Sequence, residues 1–125
     1  MHGLDARISF LVFLLTTIFC LAYACKKKVE VPTPQFRGCY SDNGLDRDLP
    51  IMGGTSEDLT ADLCDKSCKA QNFGFFGLQG NTCWCGSTFG RYGKAAHFMC
   101  STPCPGDMNQ KCGGEGINSV YSVSD

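Results

Sequence analysis

Eight cysteines between Cys39 and Cys112 constrain the fold of this 125-residue chain more than any other feature. A region this short buries only a modest apolar core, and such a density of cysteine in a small exported chain is typical of a disulfide scaffold. Each bridge contributes about 2–4 kcal/mol, mainly by restricting the unfolded chain. We therefore expect one small domain held together by four disulfides.

The spacing of four of these cysteines predicts how the domain is stapled. Cys64 and Cys68 are four residues apart on a predicted helix, so they share one helix face. Cys83 and Cys85 are two residues apart on a predicted strand, and both spacings span about 6–7 Å. Two neighbouring bridges can therefore join the helix to the strand. Eight cysteines allow roughly 105 connectivities. The spacing restricts these but leaves open whether the two bridges between helix and strand run parallel or cross.

The remaining pattern predicts an α+β fold in which a small antiparallel sheet packs with one helix. The helix is expected to run from a Thr60 cap to about Gln71. Apolar and aromatic segments between turn residues predict strands over residues 36–41, 73–78, 82–87 and 117–123, with a hairpin turn at 79–81 and loops at 42–48, 53–58 and 88–111.

The N-terminal segment predicts export. Residues 8–23 are almost entirely apolar, and Ala22 and Ala24 flank Tyr23 in an A-x-A-like cleavage site, which indicates a signal peptide over residues 1–24. The alternative is an uncleaved signal anchor, which would attach the chain to a membrane. The apolar run is shorter than the roughly 20 residues of a spanning helix, which favours cleavage and secretion.

A short polar linker is predicted over residues 25–35, before a domain over residues 36–123. The linker holds charges and two prolines without an apolar period. Cys25 stands apart from the eight framework cysteines, and its alternatives are a free thiol, a bridge between chains or a lipid attachment.

Charge and motifs exclude several classes of function. The chain has 11 Lys+Arg and 12 Asp+Glu, which gives no basic face for nucleic acid. Asp42, Asp46 and Asp48 fall on one loop, whereas glycoside hydrolysis needs two carboxylates across a cleft. No P-loop, G-x-S-x-G or H-E-x-x-H motif occurs, and C-x-C is a poor spacing for zinc. We expect no enzyme activity, no metal site, no cofactor and no nucleic-acid partner.

The sequence from Gly38 onward resembles the WSC domain family. The matching segments are GCYSD at 38–42, LTADLCDKSC at 59–68, FFGLQGNTCWCGS at 75–87, the C-x-x-x-C of Cys100 and Cys104, CGG at 112–114 and SVY at 119–121. The resemblance implies a PAN-like sandwich and the pairings Cys39–Cys100, Cys64–Cys83, Cys68–Cys85 and Cys104–Cys112. It also implies binding of β-glucans or other wall polysaccharides, whereas some members of the family use the domain for protein contact.

Candidate carbohydrate-binding residues are aromatic rings and short polar side chains near the expected ligand face. Alternation along the strand places Trp84 opposite Cys83 and Cys85, either as an exposed plate or packed beneath the 88–111 loop. Trp84 replaces the Tyr or Phe that is usual in the family, so the exact sugar is not specified. The candidate residues are Trp84, Tyr40, Asp42, Arg47, Phe89 and Tyr92.

Together these observations predict a secreted, lectin-like module that binds cell-wall or matrix polysaccharide. The alternative is an extracellular protein-interaction module or a small secreted effector. Cys25 and the basic run Lys26–Lys28 motivate that alternative, in which the partner is another extracellular protein.

Overall fold

The computed structural model describes residues 3–24 and 29–125. The chain forms two compact units, Met1–Val31 and Pro32–Asp125. In the first unit, helix α1 spans Gly3–Ala24, and its described side chains over residues 8–19 are exposed. None of the helices among the described residues combines the length and the apolarity that a membrane span requires. Cleavage after residue 24 and the linker over residues 25–35 stay predictions, and Cys25 with Lys26–Lys28 lies outside the described residues.

The second unit is an antiparallel sheet with one α-helix packed on it, which confirms the predicted α+β class. Its elements are β1 (Gln35–Ser41), β2 (Ile51–Thr55), α2 (Ala61–Ala70), β3 (Phe75–Gln79), β4 (Thr82–Gly86), β5 (Pro103–Cys104), β6 (Asp107–Lys111) and β7 (Ile117–Ser122). The main sheet has the order β1-β7-β3-β4-β2, and β5 pairs with β6 in a separate hairpin. The closing segment of the chain therefore becomes an inner strand, between β1 and β3.

Helix α2 begins where its sequence supplies a cap. The Thr60 side chain accepts a hydrogen bond from Leu63 N at 3.2 Å, and Asp62 in the first turn complements the helix dipole. The helix ends at Ala70 with Gln71 as its C-cap, and Asn72 then takes the left-handed conformation with φ 63°. The predicted helix over residues 60–71 is thus confirmed, with both cysteines on its buried face.

Two disulfides join α2 to β4 in the parallel arrangement. Cys64 bonds Cys83 and Cys68 bonds Cys85, as the resemblance implied. The four sulfurs lie in the main core beside Phe76 and Leu78 of β3, which are fully buried. The other two bridges are Cys39–Cys100 and Cys104–Cys112, so all eight framework cysteines are paired.

The prediction of a loop at residues 53–58 was wrong at its start, because β2 extends to Thr55. A methyl group at Gly53 would lie 2.7 Å from Cys83 Sγ and 2.9 Å from Cys85 Sγ. Glycine is therefore needed where β2 passes the two bridges, and this glycine pair obscured the strand pattern.

The prediction of a loop over residues 88–111 was also wrong in part, because β5 and β6 form a hairpin there. Strand β6 reads DMNQK, without apolar alternation. The Cys104–Cys112 bridge and pairing to β5 hold the hairpin instead of a buried apolar face.

Candidate functional site

Four of the six predicted binding residues lie in or against the sheet face that points away from α2, which we call the loop face. Trp84 and Tyr40 are on strands of this face, and Arg47 and Phe89 pack against them. On this face Gly77 pairs with Trp84 across the sheet. Leu49 is fully buried there because glycines leave room for it: a methyl group at Gly77 would lie 2.6 Å from Leu49 Cδ1. The loops at 42–50 and 87–95 therefore pack closely on the sheet.

Trp84 is half-buried, and its ring is covered by an arginine. The guanidinium carbon of Arg47 lies 3.9 Å from the Trp84 ring centroid. Arg47 Nη1 donates to Asp42 Oδ2 at 2.6 Å and to Gln79 Oε1 at 2.9 Å, which holds the guanidinium over the ring. Trp84 therefore presents a partly exposed ring beneath a fixed cation rather than an open plate.

Asp42 is committed to the structure of its own loop. Its side chain is 1% exposed, and its second oxygen accepts from Asp48 N at 2.9 Å. Both carboxylate oxygens are thus occupied, one by Arg47 and one by the backbone. Asp42 can orient Arg47 toward a ligand, but its own oxygens face away from solvent.

Tyr40 and Phe89 form an aromatic wedge beneath the second loop. The Phe89 ring lies 4.9 Å from Tyr40 and 4.8 Å from Phe75, edge to face in both pairs. Arg37 places its guanidinium carbon 5.5 Å from the Phe89 centroid. Both predicted rings are half-buried, so much of their surface packs the loop against the sheet.

Buried Asp48 clamps the two loops to each other. Its oxygens accept from Gly90 N at 2.8 Å and from Arg91 N at 3.0 Å, and the residue is 7% exposed. Arg91 pairs with Asp46 Oδ1 at 2.9 Å and donates to Tyr92 Oη, while Tyr92 Oη donates to Asp46 O. The hydrogen bond that Arg91 donates to the Asp46 carboxylate raises the pKa of the guanidinium, which stays charged.

A cleft of about 420 Å³ opens beside these loops, which we call the loop cleft. Arg47 and Arg91 border it, and the exposed Ser87 and Thr88 supply hydroxyl groups. Ile51, 39% exposed, supplies an apolar wall. The loop cleft therefore offers hydrogen-bond donors, hydroxyls and apolar surface within one depression, the mixture that small-ligand sites use.

The structure gathers the predicted residues into two connected groups on one side of the domain. Trp84, Arg47 and Asp42 form one chain of contacts, and Tyr40 packs with Phe89 in the other. Tyr92 joins the first group through Arg91, which donates to Arg47 O at 3.1 Å. Sequence reasoning missed Ile51 and Thr88, because no strand was predicted at Ile51 and Thr88 carries no motif.

Among the described residues, one cluster of three cysteines brings together side chains of a type that can bind a metal ion. The sulfurs of Cys64, Cys68 and Cys83 lie within 4.8 Å of one another. All three are bonded in disulfides, so none is the thiolate that a metal ion requires.

Replacing Arg47 by alanine is expected to lower the free energy of unfolding by about 2 kcal/mol, because it leaves the buried Asp42 carboxylate without its cation. Trp84 is the single tryptophan of the chain, and its indole Nε1 is buried without a hydrogen-bond partner among the described residues. Because loss of the Arg47 side chain uncovers the Trp84 ring, we also expect the tryptophan fluorescence to shift to the red as water reaches the ring. Urea unfolding followed by tryptophan emission measures both effects.

Arg91→Ala is the matched control for this substitution. Its partner Asp46 has a side chain that is 72% exposed, against 1% for Asp42, so water replaces the lost cation at little cost. Equal losses in both variants, or an unchanged emission maximum in Arg47→Ala, would contradict the role given to Arg47.

Comparison with known proteins identifies the family of this chain. The sequence profile of the WSC domain matches residues 36–114. The chain is 38% identical to Kremen protein 1 of Homo sapiens over 96 residues, which covers 72% of this chain and 20% of that protein. It is 32% identical over 101 residues to a WSC domain-containing protein of Arthroderma benhamiae, covering 75% of this chain and 11% of that protein.

A third relative is closer in length. A protein of Chaetomium globosum named a putative fungistatic metabolite is 34% identical over 95 residues, covering 73% of this chain and 43% of that protein. The chain spans about a fifth of the length of the Kremen relatives that it matches.

Proposed function

Since this chain belongs to the WSC domain family, we propose that its disulfide-stapled domain is an extracellular, non-catalytic module that binds neutral polysaccharide, such as β-glucan, at the loop face. The observation that carries this proposal is the pairing of Arg47 and Arg91 with aspartates beside a half-buried tryptophan. Extracellular placement is supported by the four disulfides, which form and persist in oxidising compartments.

The charge balance of the loop face favours a neutral ligand. Asp42 neutralises Arg47, and Asp46 neutralises Arg91, so the two arginines add no net positive charge. Arg47 remains 26% exposed, and its Nε and Nη2 groups donate to no acceptor among the described side chains and backbone. These N–H groups can donate to sugar hydroxyls without attracting an acidic chain.

Apolar surface against which a sugar ring can pack is exposed on and beside β2. Sugars present C–H groups on their ring faces, which pack against aromatic and aliphatic surface. Met52 pairs with Trp84 across the sheet and is 57% exposed, and Ile51 lines the neighbouring loop cleft. A sugar chain laid along β2 would therefore contact apolar side chains, with Arg47 and the hydroxyls of Ser87 and Thr88 at its edges.

The experiment is co-sedimentation of the full chain, expressed in a secreting host, with insoluble β-glucan, chitin, xylan and cellulose. We expect retention on at least one of these polymers, and little effect of added salt because the arginines are already paired. Trp84→Ala should weaken retention by about tenfold, the effect of losing a central binding residue. Lys66→Ala, an exposed position on α2, is the control and should bind like the parent chain.

Absence of the parent chain from every pellet would contradict the proposal. So would retention that Trp84→Ala leaves unchanged while its urea unfolding midpoint stays close to that of the parent chain.

Contact with another extracellular protein is a second candidate, supported by the edge of the sheet. Among the described strands, β2 has only β4 as a neighbour in the sheet order, so one of its edges is unpaired there. Met52 of β2 is 57% exposed, and Leu45 in the loop before β2 is 99% exposed. In the same experiment, a chain that no polymer retains but that dimerises at high concentration, and whose dimer Met52→Lys disrupts, would favour protein contact.

A further inference from the structure

A second cleft, of about 350 Å³, lies on the same side of the sheet as α2, and we call it the aromatic cleft. Its lining includes Phe36, Tyr121, His97, Asn109, Gln110 and Lys111. None of these residues lines the loop cleft, so the two depressions are separate surfaces.

One wall of the aromatic cleft is a fixed set of rings. Phe36 lies 5.1 Å from Tyr121 and 6.0 Å from His97, with interplanar angles of 59° and 77°. Tyr121 stacks in parallel on buried Phe76 at 5.0 Å, which anchors this wall to the core. Phe36 remains 42% exposed, so it offers ring surface that the protein itself does not cover.

The opposite wall is rich in hydrogen-bond donors. Gln110 Oε1 accepts from Ala61 N at 2.8 Å at the start of α2, which fixes the amide and leaves its Nε2 group without a partner among the described residues. Lys111 is exposed and forms no ion pair within the part of the chain that the structure describes. Asn109 contributes a further exposed amide.

Charge distinguishes the aromatic cleft from the loop cleft. Among the described residues no carboxylate lines it, whereas Asp46 and Asp48 line the loop cleft. The Lys111 ammonium is therefore not neutralised locally, and the donors beside it are suited to an anionic oxygen. Burial raises the pKa of the Tyr121 phenol, so this ring adds no negative charge near neutral pH.

Disulfides hold both walls in place. The Cys104–Cys112 bridge closes the β5–β6 hairpin that carries Gln110 and Lys111. The Cys39–Cys100 bridge ties β1, which carries Phe36, to the segment that follows His97. A ligand therefore meets a preformed site, which reduces the ordering cost of binding.

We propose that the aromatic cleft is a second carbohydrate site, specific for an acidic sugar of the hexuronic acid class. The sugar ring packs against the exposed Phe36 ring, and its carboxylate accepts from Lys111 Nζ and Gln110 Nε2. The aromatic surface belongs to one wall of the cleft and the donors to the other, so this ligand would use both walls. This site does not depend on the neutral-glycan function of the loop face.

The test titrates the full chain, secreted and oxidised, with trigalacturonic acid and with its fully methyl-esterified form, followed by NMR or calorimetry. The two probes differ only in the charge of the carboxyl groups. We expect the acid to bind at least about tenfold more tightly than the ester. We also expect its affinity to fall as ionic strength rises from about 50 mM to about 500 mM.

Gln110→Glu is the most specific variant, because it keeps the oxygen that accepts from Ala61 N but replaces the donor with a negative charge. We expect Gln110→Glu and Lys111→Ala each to weaken acid binding by at least about tenfold, and Phe36→Leu to weaken both probes. Phe98→Ala, which removes a ring 78% exposed on the same 3-10 turn as His97 but outside the cleft, and Lys66→Ala are controls that should bind normally.

Equal affinity for acid and ester, or unchanged acid binding in both Gln110→Glu and Lys111→Ala, would overturn the proposal. Loss of acid binding in Trp84→Ala with retention in Gln110→Glu would also overturn it, because the acid would then occupy the loop face. Failure of polysaccharide retention with intact uronate binding would overturn only the proposed loop-face function.

Discussion

Removing the Cys39–Cys100 bridge by a double substitution to alanine is expected to lower the free energy of unfolding by about 4 kcal/mol. The two cysteines are 61 residues apart, the largest separation of the four bridges, so the bridge removes the most freedom from the unfolded chain. A loss of this size is a large share of the roughly 5–15 kcal/mol that stabilises a typical domain. Urea unfolding of the secreted protein measures it.

The matched comparison is the double alanine variant of Cys104 and Cys112. This bridge closes only 8 residues, so the same entropy argument gives a smaller loss, about 2.5 kcal/mol. A loss at Cys104 and Cys112 equal to or greater than that at Cys39 and Cys100 would contradict the unfolded-state account. The bridges would then act mainly through the native packing of the two clefts.

Gly113→Ala is expected to lower the free energy of unfolding by about 3 kcal/mol, because two effects add at this position. Gly113 has φ +62°, a conformation that residues with a side chain rarely adopt. An added methyl group would lie 2.5 Å from Leu78 O and closer still to Ile117 O. Both carbonyls belong to paired strands of the core, so neither can move without disturbing the sheet.

Gly74→Ala is the control for the same chemical change. Its added methyl group would meet no atom within 4 Å, and its φ lies outside the left-handed region, so we expect a change within about 0.5 kcal/mol. Both variants are measured by urea unfolding of the oxidised chain. Similar midpoints for the two variants would show that the turn before β7 tolerates a side chain and would refute this reading.

The proposed binding surfaces depend on this rigid framework in different ways. The loop face is assembled from two loops that Asp48 clamps, and its arginines are neutralised by aspartates of the first loop. The aromatic cleft lies between a strand and a hairpin that separate disulfides secure. The two proposed surfaces, one for a neutral glycan and one for an acidic sugar, thus occupy separate parts of one small domain.

Local sequence signals predicted the helix and the stapling correctly. Thr60 caps a segment with cysteines at helical spacing, and Cys83 and Cys85 share one face of a strand, so the two pairs could meet. The parallel pairing was implied by the family resemblance. Local signals missed the start of β2 and the β5–β6 hairpin. A glycine that accommodates two disulfides and a polar hairpin held by one bridge do not show the period of a buried strand.

Sequence reasoning alone predicted a disulfide-stapled α+β domain, because cysteine spacing and capping residues act over one or two turns of chain. The resemblance of its motifs to the WSC family supplied the pairing of the cysteines. The contacts of the candidate residues, in contrast, could be seen only in the folded domain. In the structure Arg47 lies over Trp84, and the Asp42 side chain is buried. Phe89 packs on Tyr40, and Phe36 and Lys111 line the same cleft. These contacts join residues from different strands and loops, and their exposure depends on how separate segments pack, which no local pattern records.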